Sequence, residues 1–224
     1  MKTYTIIWDF DGTILPLDPY DSEQFLLKEK ADNPSTPFFT KLVANLVVYA
    51  DQKQLMRKSF KKHFYNIMKG TSVDVLENAC RKMSEKISAE DRDVYRSLKE
   101  RGHKMMILSC GTLDLSERVL KFAGIRDCFE SITASHFTID GDIISGVKQV
   151  IKNPNEKLLH ASHLSPENTI VVGDGYTDIP LLDWAGVPIL LDRDGSKRDK
   201  HKNKGYNIIS KVSEVTDLIN QTAQ

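Results

Sequence analysis

The stretch YTIIWDFDGT, residues 4–13, is an uncharged run rich in isoleucine and aromatics that ends in two aspartates one residue apart. That composition predicts a central strand buried on both faces, Tyr4 to Trp8, with Asp9 and Asp11 emerging at its carboxyl end. Roughly 160 residues later the pattern returns, with the apolar run Thr169 to Gly173 leading into Asp174 to Asp178, which reads DGYTD. In an open α/β sheet the ligand crevice lies outside the carboxyl ends of the strands, so two such ends can bring Asp9, Asp11, Asp174 and Asp178 together. Four carboxylates in one crevice repel unless a cation joins them. A hard divalent ion with oxygen ligands, Mg²⁺ foremost, answers that donor set and keeps positions for water and substrate phosphate.

Between Leu15 and about Glu90 the periodicity is helical. Asp21 followed by Gln24 has the form of a capping box, Phe38 to Met68 carries long apolar stripes, and Gly70 can close them. No strand is expected there. From about Asp91 helices and strands alternate: a helix to Arg101 stopped by Gly102, strand Lys104 to Leu108, and helix Leu113 to Ala123 stopped by Gly124. An edge hairpin turns at Asp140, Gly141 and Asp142, before a helix from Asn155 to His163 and the strand Thr169 to Val172. Helix Ile179 to Ala185, strand Pro188 to Leu191 and helix Val212 to Thr222 complete the pattern. The expected fold is α/β, a Rossmann-like parallel sheet core spanning residues 1–15 and 91–224, with a helical cap, residues 16–90, inserted after the first strand. Emerging beside the crevice, such a cap is placed to exclude water and select the substrate.

Composition narrows the function classes. The chain has 224 residues, 40% hydrophobic and 28% charged, enough for one substantial core with a smaller appendage. With 31 basic and 31 acidic residues it lacks the basic excess of a nucleic-acid binder. Cys80, Cys110 and Cys128 are too scattered for a disulfide framework, which points to free thiols in a reducing compartment, the cytoplasm. No run approaches the roughly 20 apolar residues of a membrane span, and no basic segment leads into an apolar signal region. Other catalytic patterns fail on spacing. Cys110 is followed by Ser116 where a cysteine phosphatase loop needs arginine, no GxxxxGK loop exists, and Gly173 and Gly175 lack the third glycine of a dinucleotide fingerprint. His160 and His163 share a helical face without a third zinc ligand. The run from Lys197 to Lys204 reads as a solvated basic loop, with a surface for a phosphorylated partner as the alternative.

Taken in order, the motif Asp9, Phe10, Asp11, Gly12, Thr13, then Ser109 after a strand, a lysine near 150, and GDGYTD at 173–178 resemble the four motifs of the haloacid dehalogenase superfamily. The helical insertion, the hairpin and the GDG form resemble its phosphoserine phosphatase branch. The resemblance implies Mg²⁺ bound by the carboxylates of Asp9 and Asp174 and the backbone carbonyl of Asp11, with Asp178 bracing the site. It also implies phosphate contacts from Gly12, Thr13, Ser109, Cys110, Gly111 and a lysine. Lys152, lying 22 residues before Asp174, is the choice by family spacing, with Lys157 and Lys148 as rivals. In that branch a glutamate after the first motif and a cap arginine grip the amino acid's charged ends; Asp18 and Arg57 stand near those positions.

The chemistry agrees with the resemblance. A carboxylate nucleophile, Asp9, can take a phosphoryl group and divide a hard hydrolysis into two displacements. Residues two apart in extended chain point the same way, so Asp11 can protonate the leaving alcohol and then deprotonate water. A lysine stabilises the charge spread over the transferring phosphoryl group. The expectation is an Mg²⁺-dependent phosphatase acting on a small phosphorylated metabolite, with no nucleic acid or membrane partner. A phosphomutase or phosphotransferase of the same superfamily and a catalytically silent phospho-ligand binding module are the alternatives. A dehalogenase has no use for a second acid at Asp11. Pro16, Pro19 and the aromatics Phe38, Phe39, Phe60, Phe64 and Tyr65 suggest a pocket other than one for phosphoserine, although aromatics at helical spacing more often belong to a core.

Overall fold

The structure, a computed structural model, describes residues 2–17, 19–56 and 59–222. Its centre is β1 (Thr5–Trp8), which pairs in parallel with β2 (Lys104–Thr112) on one side and β5 (Thr169–Gly173) on the other. Beyond β5 lie β6 (Val187–Leu191) and β7 (Asn207–Ile209); beyond β2 lie β3 (Ser131–Asp140) and the antiparallel edge strand β4 (Ile143–Lys148). The fold is thus α/β with a seven-stranded, mostly parallel sheet in the order β4-β3-β2-β1-β5-β6-β7. Side-chain alternation splits the apolar interior: Ile6 and Trp8 enter one cluster, while Ile7 joins Leu108, Val171 and Leu190 on the opposite face. This two-sided burial explains why β1 carries no polar residue after Thr5.

Among the described residues five helices separate β1 from β2: α1 (Ser22–Asp32), α2 (Phe38–Gln52), α3 (Phe60–Met68), α4 (Val73–Ser84) and α5 (Ala89–Glu100). The capping box at α1 is half formed. The amide of Gln24 donates to Asp21 Oδ1 at 2.8 Å, but its side chain reaches across to Asp51 Oδ2 at 2.7 Å and so ties α1 to the end of α2. The edge hairpin does more than decorate the sheet. Gly70 N donates to Ile144 O, Ile144 N to Thr71 O and Val73 N to Asp142 O, all within 2.8–2.9 Å, so the α3–α4 connection is stitched to the hairpin. Phe64 and Tyr65 pack on Phe137 with ring centroids 6.0 and 6.5 Å apart. These two aromatics are therefore core residues rather than pocket walls.

After β2 come α6 (Leu113–Phe122), α7 (Pro154–Ala161), α8 (Ile179–Trp184), α9 (Arg198–His201) and α10 (Glu214–Thr222). Several elements differ from the sequence reading. β2 runs four residues past Leu108, β3 begins at Ser131 rather than near Phe137, and neither β7 nor the short helix α9, inside the expected basic loop, is read from the sequence. The first half of β3, SITAS, mixes small polar residues with its apolar ones, and β7 has only three residues, so pairing with neighbours makes both strands. Among the described residues no helix is long and apolar enough to cross a membrane.

Candidate active site

The backbone of Asp9 continues the ladder, its amide donating to Val172 O at 3.0 Å, so its carboxylate stands where β1 and β5 end. The chain then closes a tight loop, with Leu15 N donating to Phe10 O at 2.9 Å and Gly12 N to Leu15 O at 2.8 Å. Gly12 has φ +81°, and a Cβ built there would lie 2.4 Å from the carboxyl carbon of Asp174. The first acidic motif thus accommodates the second through a missing side chain. Gly12→Ala is expected to cost at least about 2 kcal/mol through combined backbone strain and clash, and to reduce activity at least about tenfold by displacing Asp174. Thermal unfolding beside a turnover assay checks both, and a variant matching the parent in each would contradict this packing.

Asp9, Asp174 and Asp178 each offer a carboxylate oxygen, all within 4.8 Å of one another. Lys157 lies among them. Fully buried, its Nζ donates to Asp9 Oδ1 at 2.7 Å and to Asp178 Oδ1 at 2.6 Å. The other oxygen of Asp178 accepts from the amides of Asp174 and Gly175 at 3.1 and 3.0 Å, which orients the loop carrying Asp174. Gly173 leaves room for this, since a Cβ there would meet Asp178 at 2.5 Å. Lys197 Nζ donates to Asp174 Oδ2 at 2.8 Å, from a loop whose amides at Lys197 and Arg198 are held by the buried Asp192.

Burial above all, then the charge of Asp178, pushes Asp9 well above the usual carboxylate range, and Lys157 works against that rise. Asp174 is raised by burial and Asp178, opposed by Lys197. Burial alone would depress Lys157, but Asp178 and Asp9 hold it charged, above its ordinary value. With Asp178 engaged by Lys157 and two amides, Asp9 and Asp174 remain the carboxylates suited to a hard cation, and their unfavourable burial as anions is what such a cation would relieve. The donor set fits Mg²⁺.

Asp11 turns away from this cluster. Ser22, the first residue of α1, donates to its carboxylate from both N and Oγ, at 2.8 and 2.9 Å. Burial, partly offset by the Ser22 amide and augmented by Glu23, pushes Asp11 up to about 6. Glu23 accepts from Lys61 Nζ and, at 2.7 Å, from Thr112 Oγ1. Ser109 is buried at the end region of β2; its Oγ accepts from Gly111 N at 2.9 Å, and a Cβ on Gly111 would approach both Ser109 Oγ and Asp11 Oδ2 at 3.1 Å. A cleft of about 310 Å³ connects these groups, lined among others by Asp9, Asp11, Ser109, Cys110, Gly111 and Asp174, with Asp21, Glu23, Phe60 and Lys61 across it.

The structure corrects several sequence expectations. Lys152 is exposed and only its backbone amide is engaged, by Glu156 Oε2 at 2.7 Å, because Asn153 and Pro154 begin α7 just after it. Of the three candidate lysines, Lys157, one turn inside α7, is the one that meets Asp9 and Asp178; Lys148 sits exposed on edge strand β4. The amide of Gly12 is spent on Leu15, and Thr13 is wholly buried with its carbonyl accepting from Arg193. Lys197 is a site residue rather than part of a solvated run, a role no local pattern announces because β6 and Asp192 deliver it. Cys110 lines the cleft, but burial pushes its thiol up to about 11, which leaves it a poor nucleophile. Ser22, Glu23, Lys61 and Thr112 escaped the sequence reading. Asp18 and Arg57 lie outside the described residues.

Residues 6–183 match the haloacid dehalogenase-like hydrolase family. A phosphoserine phosphatase of Archaeoglobus fulgidus is 26% identical over 194 residues, which are 84% of this chain and 52% of that protein. The chain therefore spans about half the length of that curated relative. A substrate-bound phosphoserine phosphatase superposes with a TM-score of 0.70 at 16% identity, over 97% of this chain and 99% of the other. A phospho-aspartyl intermediate analogue of phosphoserine phosphatase gives 0.67 at 19%, with the same coverage. A phosphoserine phosphohydrolase-like protein from Francisella tularensis gives 0.69 at 19%, over 98% and 100%. At these identities the structural likeness establishes the fold.

Proposed function

Because the chain belongs to the haloacid dehalogenase-like hydrolases, we propose that its cleft hydrolyses a small phosphomonoester through an aspartyl phosphate on Asp9. The observation carrying this reading is the position of Asp9, held at a strand end between Lys157 and Asp174 in the same cleft as Ser109. Asp9 attacks phosphorus as the bond to the alcohol oxygen breaks, and Asp11 delivers the proton to that oxygen. In the second displacement a water attacks the phosphorus of the acyl phosphate, giving its proton to Asp11 and regenerating Asp9. An acid held near 6 by burial and Ser22 can serve in both directions at neutral pH. The Ser109 hydroxyl, which accepts from Gly111 N, donates its own proton to a phosphoryl oxygen, and Lys157 balances the negative charge near the reacting centre. Mg²⁺ held by Asp9, Asp174 and the carbonyl of Asp11 would screen phosphate from these carboxylates and polarise the phosphoryl group.

Residues 16–90 act as the cap in this reading, with Phe60, Lys61, Asp21 and Glu23 forming the wall that meets the alcohol portion. A volume of about 310 Å³ suits a metabolite rather than a phosphoprotein side chain on its domain. Free Cys80, Cys110 and Cys128 accord with a reducing, cytoplasmic setting. The purified chain is expected to release inorganic phosphate from an aryl phosphate and from members of a phosphorylated-metabolite panel that includes phosphoserine. EDTA abolishes the release and Mg²⁺ restores it. Binding without turnover across the whole panel would leave a silent module, and a strict need for a bisphosphate activator would identify a mutase.

A further inference from the structure

Helix α2 is apolar on two faces. Ala44, Val47 and Val48 are buried against α1 and the shared core, as an amphipathic cap helix requires. The opposite face carries Phe38, Phe39, Leu42, Leu46 and Tyr49, all between 56% and 82% exposed, and Leu55 in the following turn is 76% exposed. From Phe39 to Tyr49 they recur at intervals of three and four residues, with Phe38 beside the first and Leu55 just past the helix end, and form one stripe along the helix. A helix apolar all round is normally covered on all sides, and isolated surface leucines are common while a stripe of this length is not.

The area and charge of this face fit a second copy of the chain. Six large side chains of this exposure offer on the order of 600–700 Å² of apolar surface, close to the roughly 800 Å² that each partner contributes to a standard stable interface. The stripe has no acidic residue within it, α2 has no acidic residue in its first turn and no basic one in its last, and the chain carries equal numbers of basic and acidic residues. Two copies therefore meet without net repulsion. An antiparallel arrangement opposes the helix dipoles and brings Lys53, which lies over the Tyr49 ring of its own chain, toward Phe38 and Phe39 of the other copy. No residue of α2 lines the catalytic cleft, so the contact leaves the site open.

We propose that this face of α2 is the interface of a two-fold homodimer, formed by antiparallel packing of α2 against α2 through Phe38, Phe39, Leu42, Leu46 and Tyr49. The proposal is independent of the reaction the cleft performs. In such a pair Leu42 of one copy lies near Leu46 of the other, at the symmetry axis where the contact is driest.

Sedimentation velocity on the full chain, between about 1 and 100 µM, is expected to show a dimer, and Leu46→Glu is expected to weaken association at least about 100-fold. Because Leu46 is exposed in the single chain, the variant should keep the parent's circular dichroism spectrum. Leu159→Glu, an equally exposed leucine on α7, should leave the dimer intact. Leu46→Glu and Leu42→Lys, each monomeric alone, should associate again when mixed in equal amounts, because the pairing sets one charge against the other. A parent that stays monomeric at about 100 µM overturns the proposal, as does a dimer that survives Leu46→Glu or a mixture that fails to associate. A monomer that instead binds vesicles of zwitterionic and anionic lipid through this face also overturns it, assigning the stripe to a membrane surface.

Discussion

Asp9→Asn is expected to lower turnover of an aryl phosphate by at least about 10⁴-fold while leaving the fold intact. The loss is that large because the amide cannot act as a nucleophile, so no acyl phosphate forms and both displacements stop. The fold survives for a reason visible in the site. Asn keeps a carbonyl oxygen that can accept from Lys157, and Lys157 retains Asp178 at 2.6 Å as its charged partner. In the absence of a divalent cation, the variant should melt no lower than the parent, because a buried charge beside Asp174 and Asp178 has been removed. Phosphate release and a melting curve in EDTA, taken on the same preparation, test the two halves separately. Turnover within tenfold of the parent would remove Asp9 from the role of nucleophile. A collapse of the melting temperature would instead show that its charge holds Lys157 in place.

The parts of this site that could be read from the chain are those whose chemistry is local. Asp9, Asp11, Ser109, Asp174 and Asp178 each follow an apolar run, and a strand that ends delivers its next residues to the crevice without help from elsewhere. What could not be read is what depends on the exact start of an element or on a partner far along the chain. Lys152 precedes α7 while Lys157 lies one turn inside it, and only the cap made by Asn153 with Pro154 decides which of them faces inward. Lys197 reaches Asp174 because β6 runs beside β5 and Asp192 holds the loop, an arrangement no window of sequence contains. The same distinction separates β1, legible from its composition, from β7, a three-residue strand that exists by pairing with β6. Ser22 stands between: its place after the capping Asp21 was readable, but its grip on Asp11 follows only from the return of α1 across the loop.

Lys157→Ala is expected to be the most damaging substitution outside the nucleophile, for both stability and rate. The parent buries one ammonium between Asp9 and Asp178 with no exposure, so the ion pair is not screened by solvent in the manner of a surface bridge. Removing the cation leaves two buried carboxylates facing each other, with Asp174 close by, and breaking a buried pair in this way typically costs about 3–5 kcal/mol. The rate should fall about 10²–10³-fold beyond what partial unfolding explains, since the cation next to the transferring phosphoryl group is gone. Lys157→Arg should not restore it, because a planar guanidinium cannot occupy the space of a fully enclosed ammonium. Lys152→Ala is the companion measurement. Its side chain is exposed, and its backbone contact to Glu156 survives the change, so melting and turnover should stay within about twofold of the parent. If Lys152→Ala were the inactive variant and Lys157→Ala the silent one, the register of α7 would be wrong, and the site would have to be rebuilt around the residue that family spacing first suggested.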